Sequence, residues 1–436
     1  MGDMGCAWKE DDMMEADKIA PPDNARLAQA LQASTQRLCA ELTTPQAVAP
    51  DWDATHWRLA MAAVAIHGIA GLLARRLRWQ GPALWQDFLA EQRQQTGLRE
   101  QRARELLVTL NSATRHAGIA ALALKGSALL AMGLYEDDER PMSDIDLLVH
   151  PQDMDTTEEM VEVLGYIAHE LGPRHRQYQP STTPPERAFG EHLNNPLKIE
   201  LHDHIAEPLP RRSVALTSEL WPDAPRAGLN AYPGRAALMR HLLLHAAGNC
   251  CHHSIRLIQL HDIVLLGERL TAAEWQQVLD SGRAAGADWV YPPLALASRC
   301  LPGRLPDEVL QAAARLCPPW LRRSADRWTL DGLSFTGLYM PVLPGLPWCT
   351  SAGELMALLA RRLYPGRQAL ALARGHLQTQ APLRASPQAG RPRWQRALGW
   401  LQGQPPRVQT VYMVNQALHY RPPASSSYSP STQEAV

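Results

Sequence analysis

Two aspartates stand two positions apart inside an apolar segment of this chain. They are Asp144 and Asp146, in the run SDIDLLV at residues 143–149. Side chains two positions apart on a β-strand point to the same face, so the two carboxylates would lie side by side. The two carboxylates repel each other unless a cation lies between them. Mg²⁺ suits this position because it prefers oxygen ligands and keeps bound waters that substrate phosphates can replace. The pair predicts a divalent-metal site for phosphoryl or nucleotidyl transfer, although an isolated Asp-x-Asp is more often a solvated turn.

A candidate phosphate-binding turn precedes the aspartates. Lys125, Gly126 and Ser127 stand between a short apolar run at residues 119–124 and a helical pattern at residues 128–135. Glycine lets a phosphate approach the backbone, and the start of a helix offers N–H groups that lack partners. Lys125 and Ser127 would add a positive charge and a hydroxyl donor. The alternative is an ordinary strand-to-helix turn in which Ser127 is the N-cap.

A third acid follows in a second apolar segment. Glu200 lies in LKIELH at residues 197–202, where the pattern predicts a strand. On a strand beside the aspartates it would complete a three-carboxylate site, and otherwise it faces solvent. Histidines are frequent from here onward: His202, His204, His241, His245, His252 and His253. They could suggest a zinc or iron site, but no HExxH spacing joins them. Polar packing and surface positions are therefore the default, with His245 a candidate for the wall of a nucleotide cleft.

Local patterns divide the chain into a strand-containing centre with helical regions on both sides. Helical spacing covers residues 25–42, 56–77, 84–116, 128–135, 155–164, 236–247, 254–270, 272–285 and 355–373. Strand patterns cover residues 119–124, 143–149, 166–171 and 197–202, and residues 172–187 predict a mobile loop. We expect four units: a helical region 1–116, an α/β core 117–232, a second helical region 233–375 and an Arg- and Pro-rich, partly disordered tail 376–436.

The composition limits the class of protein. Hydrophobic residues make up 45% and charged residues 20%, as in soluble globular proteins, and the formal net charge is -1. The seven cysteines show no CxxC spacing, which favours free thiols in a reducing compartment. The N-terminus is acidic without the apolar stretch of a signal peptide. The apolar window 59–77 contains three basic side chains, which favours a buried helix over a membrane span. We therefore expect a soluble, cytoplasmic protein with no membrane partner.

The C-terminal part is rich in arginine. From Ser351 to the end there are ten arginines against two acidic residues, Glu354 and Glu434. Interspersed Trp and Tyr side chains could stack on RNA bases while the arginines contact phosphates. Because these residues are spread over a long, proline-interrupted stretch, a solvated extension is favoured over nucleic-acid binding, and residues 422–436 are expected to be disordered.

One segment resembles a known family. LALKGSALLAMGLYEDDERPMSDIDLLV, residues 122–149, closely resembles the core motif of the bacterial uncharacterised nucleotidyltransferase family of the polymerase-beta-like superfamily. The matching positions are Leu124, Lys125, Gly126, Tyr135, Arg140 and the run 144–149. The likeness continues in ELH at residues 200–202 and in the helical stretch 241–266, where His245, Arg256, Leu257 and Asp262 match. The family pattern has a second histidine in this stretch. Its position falls on Asn249 when counted from one side and on His252 when counted from the other.

The resemblance implies an α+β fold, with a small mixed sheet forming the nucleotidyltransferase core and helical regions flanking it. Asp144, Asp146 and Glu200 would hold Mg²⁺ or Mn²⁺, and Glu200 would also help to deprotonate the acceptor. The nucleotide-binding residues it implies are Lys125, Gly126, Ser127 and Arg140. An acceptor would attack the α-phosphate of an NTP, with ATP the expected nucleotide, and pyrophosphate would leave. Positioning and charge neutralisation would supply most of the catalysis.

The acceptor is not legible in the sequence, because such folds serve many acceptors. A small molecule, a peptide or a protein all suit the motif. Two alternatives stay open: a nucleotide-binding regulatory or partner protein without turnover, and an enzyme that modifies RNA. Retention of all three acids argues against the first alternative, and the second depends on the arginine-rich C-terminal part.

Overall fold

The computed structural model describes residues 23–171, 175–182, 189–280, 286–341, 343–364 and 406–422, together with the single positions 366 and 370. Within these residues, sixteen helices surround a six-stranded mixed sheet, and two further strands form a separate ribbon. The predicted α+β class, a small mixed sheet with helical flanks, is confirmed.

The secondary structure follows the chain in this order. The helices are α1 Asn24–Thr43, α2 Ala54–His67, α3 Ala70–Arg76, α4 Ala83–His116, α5 Lys125–Ala131, α6 Met154–Val163, α7 Thr217–Leu220, α8 Arg235–His252, α9 Leu257–Gly267, α10 Ala272–Leu279, α11 Tyr291–Cys300, α12 Asp307–Leu316, α13 Pro319–Ala325, α14 Leu330–Leu333, α15 Ala352–Leu363 and α16 Val408–Leu418. The strands are β1 Ala120–Ala123, β2 Asp144–Val149, β3 Tyr166–Leu171, β4 Arg176–Pro180, β5 Lys198–His202, β6 Ala206–Pro208, β7 Ser213–Ala215 and β8 Gly228–Asn230.

The main sheet has the strand order β3-β4-β5-β2-β1-β8, and β6 and β7 form the separate antiparallel ribbon. β2 is central: it pairs in parallel with β5 and antiparallel with β1. β1 pairs in parallel with β8, while β4 runs antiparallel to both β3 and β5. The two strands that carry the candidate acids are therefore direct neighbours.

The two faces of β2 differ in chemistry. Ile145, Leu147 and Val149 are fully buried and pack with apolar residues of α4 and α6. Because successive side chains alternate, Asp144 and Asp146 point to the opposite face, which lies toward α8 and α9. The apolar half of the alternation anchors the strand, and the acidic half is left available for chemistry.

The long helix α4 belongs to both the N-terminal helices and the sheet. Its residues Ala103 and Leu110 are fully buried in the cluster that covers one sheet face. Asn111 accepts a hydrogen bond from the Leu229 N–H of β8 at 2.9 Å. The predicted unit boundaries after residues 116, 232 and 375 remain predictions, and the first lies at the end of a helix that supports the sheet.

The predicted helix over residues 56–77 is two helices, α2 and α3, bent by 117° at a break. Gly68 ends α2 with φ +66°, a left-handed conformation that favours glycine. A Cβ at this position would also lie 2.4 Å from Nη2 of Arg256. The apolar pattern is continuous across Gly68 and so gave no sign of the break. The break lies where the Arg256 side chain approaches the backbone.

Part of the predicted mobile loop 172–187 is a strand. Residues 176–180 form β4, which is hydrogen-bonded on both sides, to β3 and to β5. Tyr178 is buried in the apolar cluster beneath the sheet, so the Pro-, Thr- and Arg-rich composition concealed an inserted strand. Residues 172–174 and 183–187 lie outside the described residues.

The expected solvated C-terminal extension contains a packed helix, α16. Val414, Ala417 and Leu418 are buried against residues of α1 and α2, including Leu31 and Leu59. The spacing of these three residues is that of one helix face. The prediction of a solvated extension rested instead on the Pro, Gln and Ser content of the surrounding sequence. Residues 371–405 and 423–436 lie outside the described residues. The predicted disorder of residues 422–436 therefore stays a prediction.

Replacement of Val414 by alanine should reveal the contribution of α16 to stability. Val414 is 2% exposed, whereas Val411, one turn earlier on the same helix, is 43% exposed. Val414→Ala removes buried methyl groups and leaves a cavity, so we expect the free energy of unfolding to fall by about 1–2 kcal/mol. Val411→Ala is the matched control and should change it by less than about 0.5 kcal/mol. Equal effects in urea denaturation would mean that α16 does not pack as described.

A buried histidine joins the N-terminal helices to the C-terminal ones. His67 is fully buried; its Nδ1 accepts the Leu257 N–H at 3.2 Å, and its Nε2 lies 3.3 Å from Oγ1 of Thr336. Burial, with a smaller effect of Arg256, lowers the pKa of His67 to about 3. The imidazole is thus held neutral, because a proton on Nδ1 would face the N–H of Leu257.

Stability should fall as the pH drops from about 6.5 toward 3. The unfolded state binds a proton at His67 in this window and the folded state does not, so stability is complete above the window and is lost below it. At pH 5 the loss from one such histidine is about 2 kcal/mol relative to pH 7. His67→Gln should flatten the pH dependence of the unfolding free energy, while His116→Gln, at an exposed position, should not. An unchanged slope in His67→Gln would contradict this account.

No single helix among the described residues is long and apolar enough to cross a membrane. One bent pair, α2 with α3, passes a test of length and composition alone. Most side chains of this pair are buried in the protein core, including Met61, Val64, Leu72 and Leu73. The apolar window predicted as buried helix is therefore buried, although it forms two helices.

Candidate active site

Three polar side chains line up across neighbouring strands. In the sheet register Asp146 of β2 stands beside Glu200 of β5, and Glu200 stands beside Gln177 of β4. Nε2 of Gln177 donates a hydrogen bond to Oε1 of Glu200 at 2.6 Å. Adjacent strands lie about 4.8 Å apart, so register alone brings the two carboxylates close together. The sequence predicted Glu200 beside the aspartates but missed Gln177, which lay in the supposed loop.

His202 completes a group that can hold a metal ion. Its Nε2 lies 3.0 Å from Oδ1 of Asp146 and 3.9 Å from Oε2 of Glu200. One candidate ligand atom from each of Asp146, Glu200 and His202 lies within 4.8 Å of the other two. Asp144 is not a member of this group. His202 was not among the site residues predicted from the sequence. The strand period could have indicated it, because His202 follows Glu200 by two positions and must share its face.

The acids strongly influence each other's protonation. Burial, followed by the charges of Asp146 and Asp144, raises the pKa of Glu200 to about 8. Burial and Asp146 also raise the pKa of Asp144. For Asp146 burial acts in the same direction, but Lys125 and His202 outweigh it and hold its pKa well below the ordinary value. One acid is thus kept charged, and its neighbours carry an electrostatic cost that a bound cation would relieve.

Lys125 is positioned by an unusual backbone conformation. It has φ +43°, which is costly for a residue with a side chain and is concentrated at functional sites. Its N–H donates to Oη of Tyr232 at 3.3 Å, and Nζ donates to Oδ1 of Asp146 at 2.8 Å. Burial lowers the pKa of Lys125, but Asp146, Glu200 and Asp144 together raise it above its ordinary value. The turn therefore presents a permanent positive charge to the acids.

Gly126 is required by a close approach of Arg140. A Cβ at Gly126 would lie 2.7 Å from Nη1 of Arg140, so any larger residue would displace the guanidinium. Arg140 in turn forms a two-point ion pair with Asp262, with both N–O distances 2.8 Å. Oη of Tyr135 donates to the same carboxylate at 2.6 Å. The sequence indicated Arg140, but its fixation by a residue of α9 became visible only in the structure.

Ser127 is buried and is not among the described residues that line the aspartate cavity. It is 2% exposed and its N–H donates to the Leu124 carbonyl at 3.0 Å, inside the first turn of α5. The N-cap of this helix is Leu124, so the alternative in which Ser127 is the N-cap is wrong. Its hydroxyl is buried without a hydrogen-bond partner among the described residues. The predicted role of Ser127 in nucleotide binding stays a prediction that this geometry does not favour.

Two adjoining cavities meet at the acids. The aspartate cavity, about 210 Å³, is lined by Gly126, Arg140, Asp144, Asp146 and Arg256, among others. The histidine cavity, about 190 Å³, is lined by His175, His202, His204, His241 and His252, among others. Lys125, Glu200 and His245 belong to both walls. The aspartate cavity contains three basic side chains beside the acids, which suits a polyphosphate together with a cation.

The histidines of α8 face this region. His245 lies 3.1 Å from Nδ2 of Asn249 and 3.2 Å from Nε2 of Gln259. Nδ1 of His241 lies 2.7 Å from Oη of Tyr232, and burial holds the pKa of His241 well below its ordinary value. Asn249 and His252, the two candidates for the second histidine position, both line the histidine cavity. His245 lines both cavities, and its predicted place in the wall of a nucleotide cleft stays a prediction.

The acidic loop at residues 136–139 lies apart from the acids. Asp138 pairs with Arg75 at 3.1 Å and with Arg93 at 3.0 Å, on helices α3 and α4. Its N–H donates to Oε2 of Glu100 at 3.1 Å. The loop therefore connects the segment before β2 to the N-terminal helices. Residues 136–139 are not among the described residues that line the two cavities.

A mixed sheet that carries acids on one face, beside a strand-to-helix turn with a lysine, is the arrangement expected of the nucleotidyltransferase class. Residues 53–301 match the family described as uncharacterised nucleotidyltransferases, and the chain belongs to that family. The match extends from just before α2 to the end of α11 and includes every candidate site residue named above. No curated protein and no solved structure matches the chain.

Proposed function

We propose that this protein transfers a nucleoside monophosphate from an NTP, with ATP as the first candidate, to a small-molecule, peptide or protein acceptor. The observation that carries the proposal is the convergence of Asp146, Glu200 and Lys125. Lys125 and Glu200 lie in the wall shared by the two cavities, and Asp146, in the wall of the aspartate cavity, accepts a hydrogen bond from Lys125. Family membership supports the reaction class, and the geometry supports a place for it.

The donor atoms at this wall suit a divalent cation, Mg²⁺ or Mn²⁺. Asp146 and Glu200 offer carboxylate oxygens within ligand-sharing distance, and Asp144 stands on the same strand face toward the aspartate cavity. The predicted set Asp144, Asp146 and Glu200 is the metal-binding set of this proposal, with His202 as an added contact. A bound dication would neutralise phosphate charge and orient the transferred phosphoryl group.

The NTP triphosphate belongs in the aspartate cavity. Lys125, Arg140 and Arg256 line it and supply positive charge, and Gly126 keeps the turn free of a side chain. Arg140 is oriented by Asp262, so its remaining donors are pre-positioned rather than mobile. Such preorganised donors stabilise the charge that develops on the leaving pyrophosphate.

The acceptor belongs in the histidine cavity, on the other side of the acids. Glu200 lines both cavities and is therefore placed to take a proton from an acceptor group that attacks the α-phosphate. Gln177 holds one oxygen of Glu200 and leaves the other toward His202. We place the reaction in the cytoplasm, which agrees with the six free cysteines among the described residues.

The test uses the full-length protein with each α-labelled NTP, divalent cation and a host extract. We expect label to appear on one acceptor class, with release of unlabelled pyrophosphate, and no label transfer in Asp146→Asn. Ribonuclease-sensitive label would favour RNA as the acceptor. Tight NTP binding without labelled product in any extract fraction would contradict the proposal and favour a regulatory nucleotide-binding protein.

A further inference from the structure

The third donor beside Asp146 and Glu200 is an imidazole. Among the described residues, Asp146, Glu200 and His202 are the one group of three whose candidate ligand atoms lie within 4.8 Å of one another. Nε2 of His202 is the nitrogen that faces both carboxylates, at 3.0 and 3.9 Å. This group offers two carboxylate oxygens and one imidazole nitrogen, so His202 adds a nitrogen donor to the carboxylates that the sequence predicted.

These donors are held in place before any ion binds. Asp146 and Glu200 are fixed by the parallel register of β2 and β5, and His202 ends the same strand as Glu200. His202 is 8% exposed, which restricts its ring. Gln177 binds Oε1 of Glu200 at 2.6 Å, so Oε2 is the oxygen nearest to His202. A preformed set of this kind discriminates between cations by ligand type.

We propose that this site binds a first-row transition-metal dication such as Mn²⁺ in preference to Mg²⁺, with Nε2 of His202 as a ligand. The inference rests on the proposed function, because it concerns the cation of the same site. Mg²⁺ favours oxygen ligands and gives up water reluctantly, whereas a nitrogen ligand adds affinity for transition ions. Mn²⁺ accepts carboxylate and imidazole together, which matches this donor set.

The experiment measures the bound ion directly. Full-length protein freed of metal by a chelator is titrated with Mn²⁺, free Mn²⁺ is counted by electron paramagnetic resonance, and Mg²⁺ is added as competitor. Pulsed measurements on bound Mn²⁺ detect coupling to a nitrogen nucleus. We expect such coupling and at least about tenfold tighter binding of Mn²⁺ than of Mg²⁺.

His202→Gln should abolish the nitrogen coupling and weaken Mn²⁺ binding by about tenfold or more. His204→Gln is the matched control, because His204 lies in the same cavity but beyond the end of β5, paired with Asp203, and should keep the coupling. If His202→Gln does not fold, the wild-type protein grown with ¹⁵N-histidine provides the second measurement. Its nitrogen signal should change to that of ¹⁵N.

Absence of nitrogen coupling in the wild-type protein, or Mg²⁺ binding as tight as that of Mn²⁺, would overturn the inference. The proposed function has a separate readout in label transfer from NTP. Nitrogen coupling without any transfer would leave the metal inference standing and remove the proposed function. Transfer supported by Mg²⁺ without nitrogen coupling would do the reverse.

Discussion

Asp146→Asn is expected to reduce metal-dependent pyrophosphate release by about a thousandfold while the fold is retained. Asp146 is held by two side chains of the site, since Lys125 and His202 both lie within 3.0 Å of its Oδ1. Asparagine keeps the shape but loses the negative charge that a cation requires. Lys125 retains the nearby charges of Asp144 and Glu200, so the loss of one acid does not leave it uncompensated.

The matched control is Asp203→Asn, which makes the same chemical change one residue beyond β5. The Asp203 side chain is 44% exposed and pairs with His204. We expect turnover within about twofold of wild type. Circular dichroism and thermal unfolding of both variants would establish that the fold is intact. Turnover by Asp146→Asn close to the wild-type rate would remove Asp146 from the chemistry and with it the proposed mechanism.

Asp262→Ala should cause the largest loss of stability of any change considered for this protein. The Asp262 side chain is 3% exposed and holds Arg140 by two hydrogen bonds and Tyr135 by a third. Its removal leaves a guanidinium, which is 15% exposed, without its counter-ion. Breaking a buried pair in this way costs about 3–5 kcal/mol, so we expect that decrease in the free energy of unfolding.

Glu268→Ala is the matched control for this prediction. Glu268 binds Arg304 with the same two-point geometry, at 2.6 and 2.7 Å, but the side chains are 36% and 24% exposed. Solvent screens such a pair, so the expected loss is below about 1 kcal/mol. Urea unfolding measures the loss of free energy in the two variants. Both variants remove an acid from a two-point pair with arginine, so the difference between them reports the effect of burial. A similar small loss in both would mean that Arg140 finds water or another partner when Asp262 is absent.

Much of the fold could be predicted locally. The helices at residues 25–42 and 84–116 were predicted within a residue or two of α1 and α4, and β2, β3 and β5 were also predicted. These elements have a regular apolar period that reports directly which face is buried. The failures share another cause. The break at Gly68 and the strand β4 are set by contacts with distant segments, which a local pattern does not contain.

The fate of the C-terminal tail illustrates the same limit. Only Val414, Ala417 and Leu418 carry the apolar face of α16, and the segment is rich in polar residues and proline. Such a face is too small to stabilise a helix alone, and it folds because α1 and α2 offer a complementary surface. Composition indicated a solvated extension, whereas residues 408–418 of it form a packed helix.

By itself, the sequence determined that Asp144 and Asp146 share a strand face, that a lysine-bearing turn precedes them and that Glu200 lies on another strand. Alternation of side chains is a local property, so these statements needed no partner strand. The tertiary structure decided which groups meet: the register of β2 with β5 sets Asp146 beside Glu200 and brings His202 close to both, a group of three that does not include Asp144. Strand register depends on the packing of all layers at once, and no single segment encodes it.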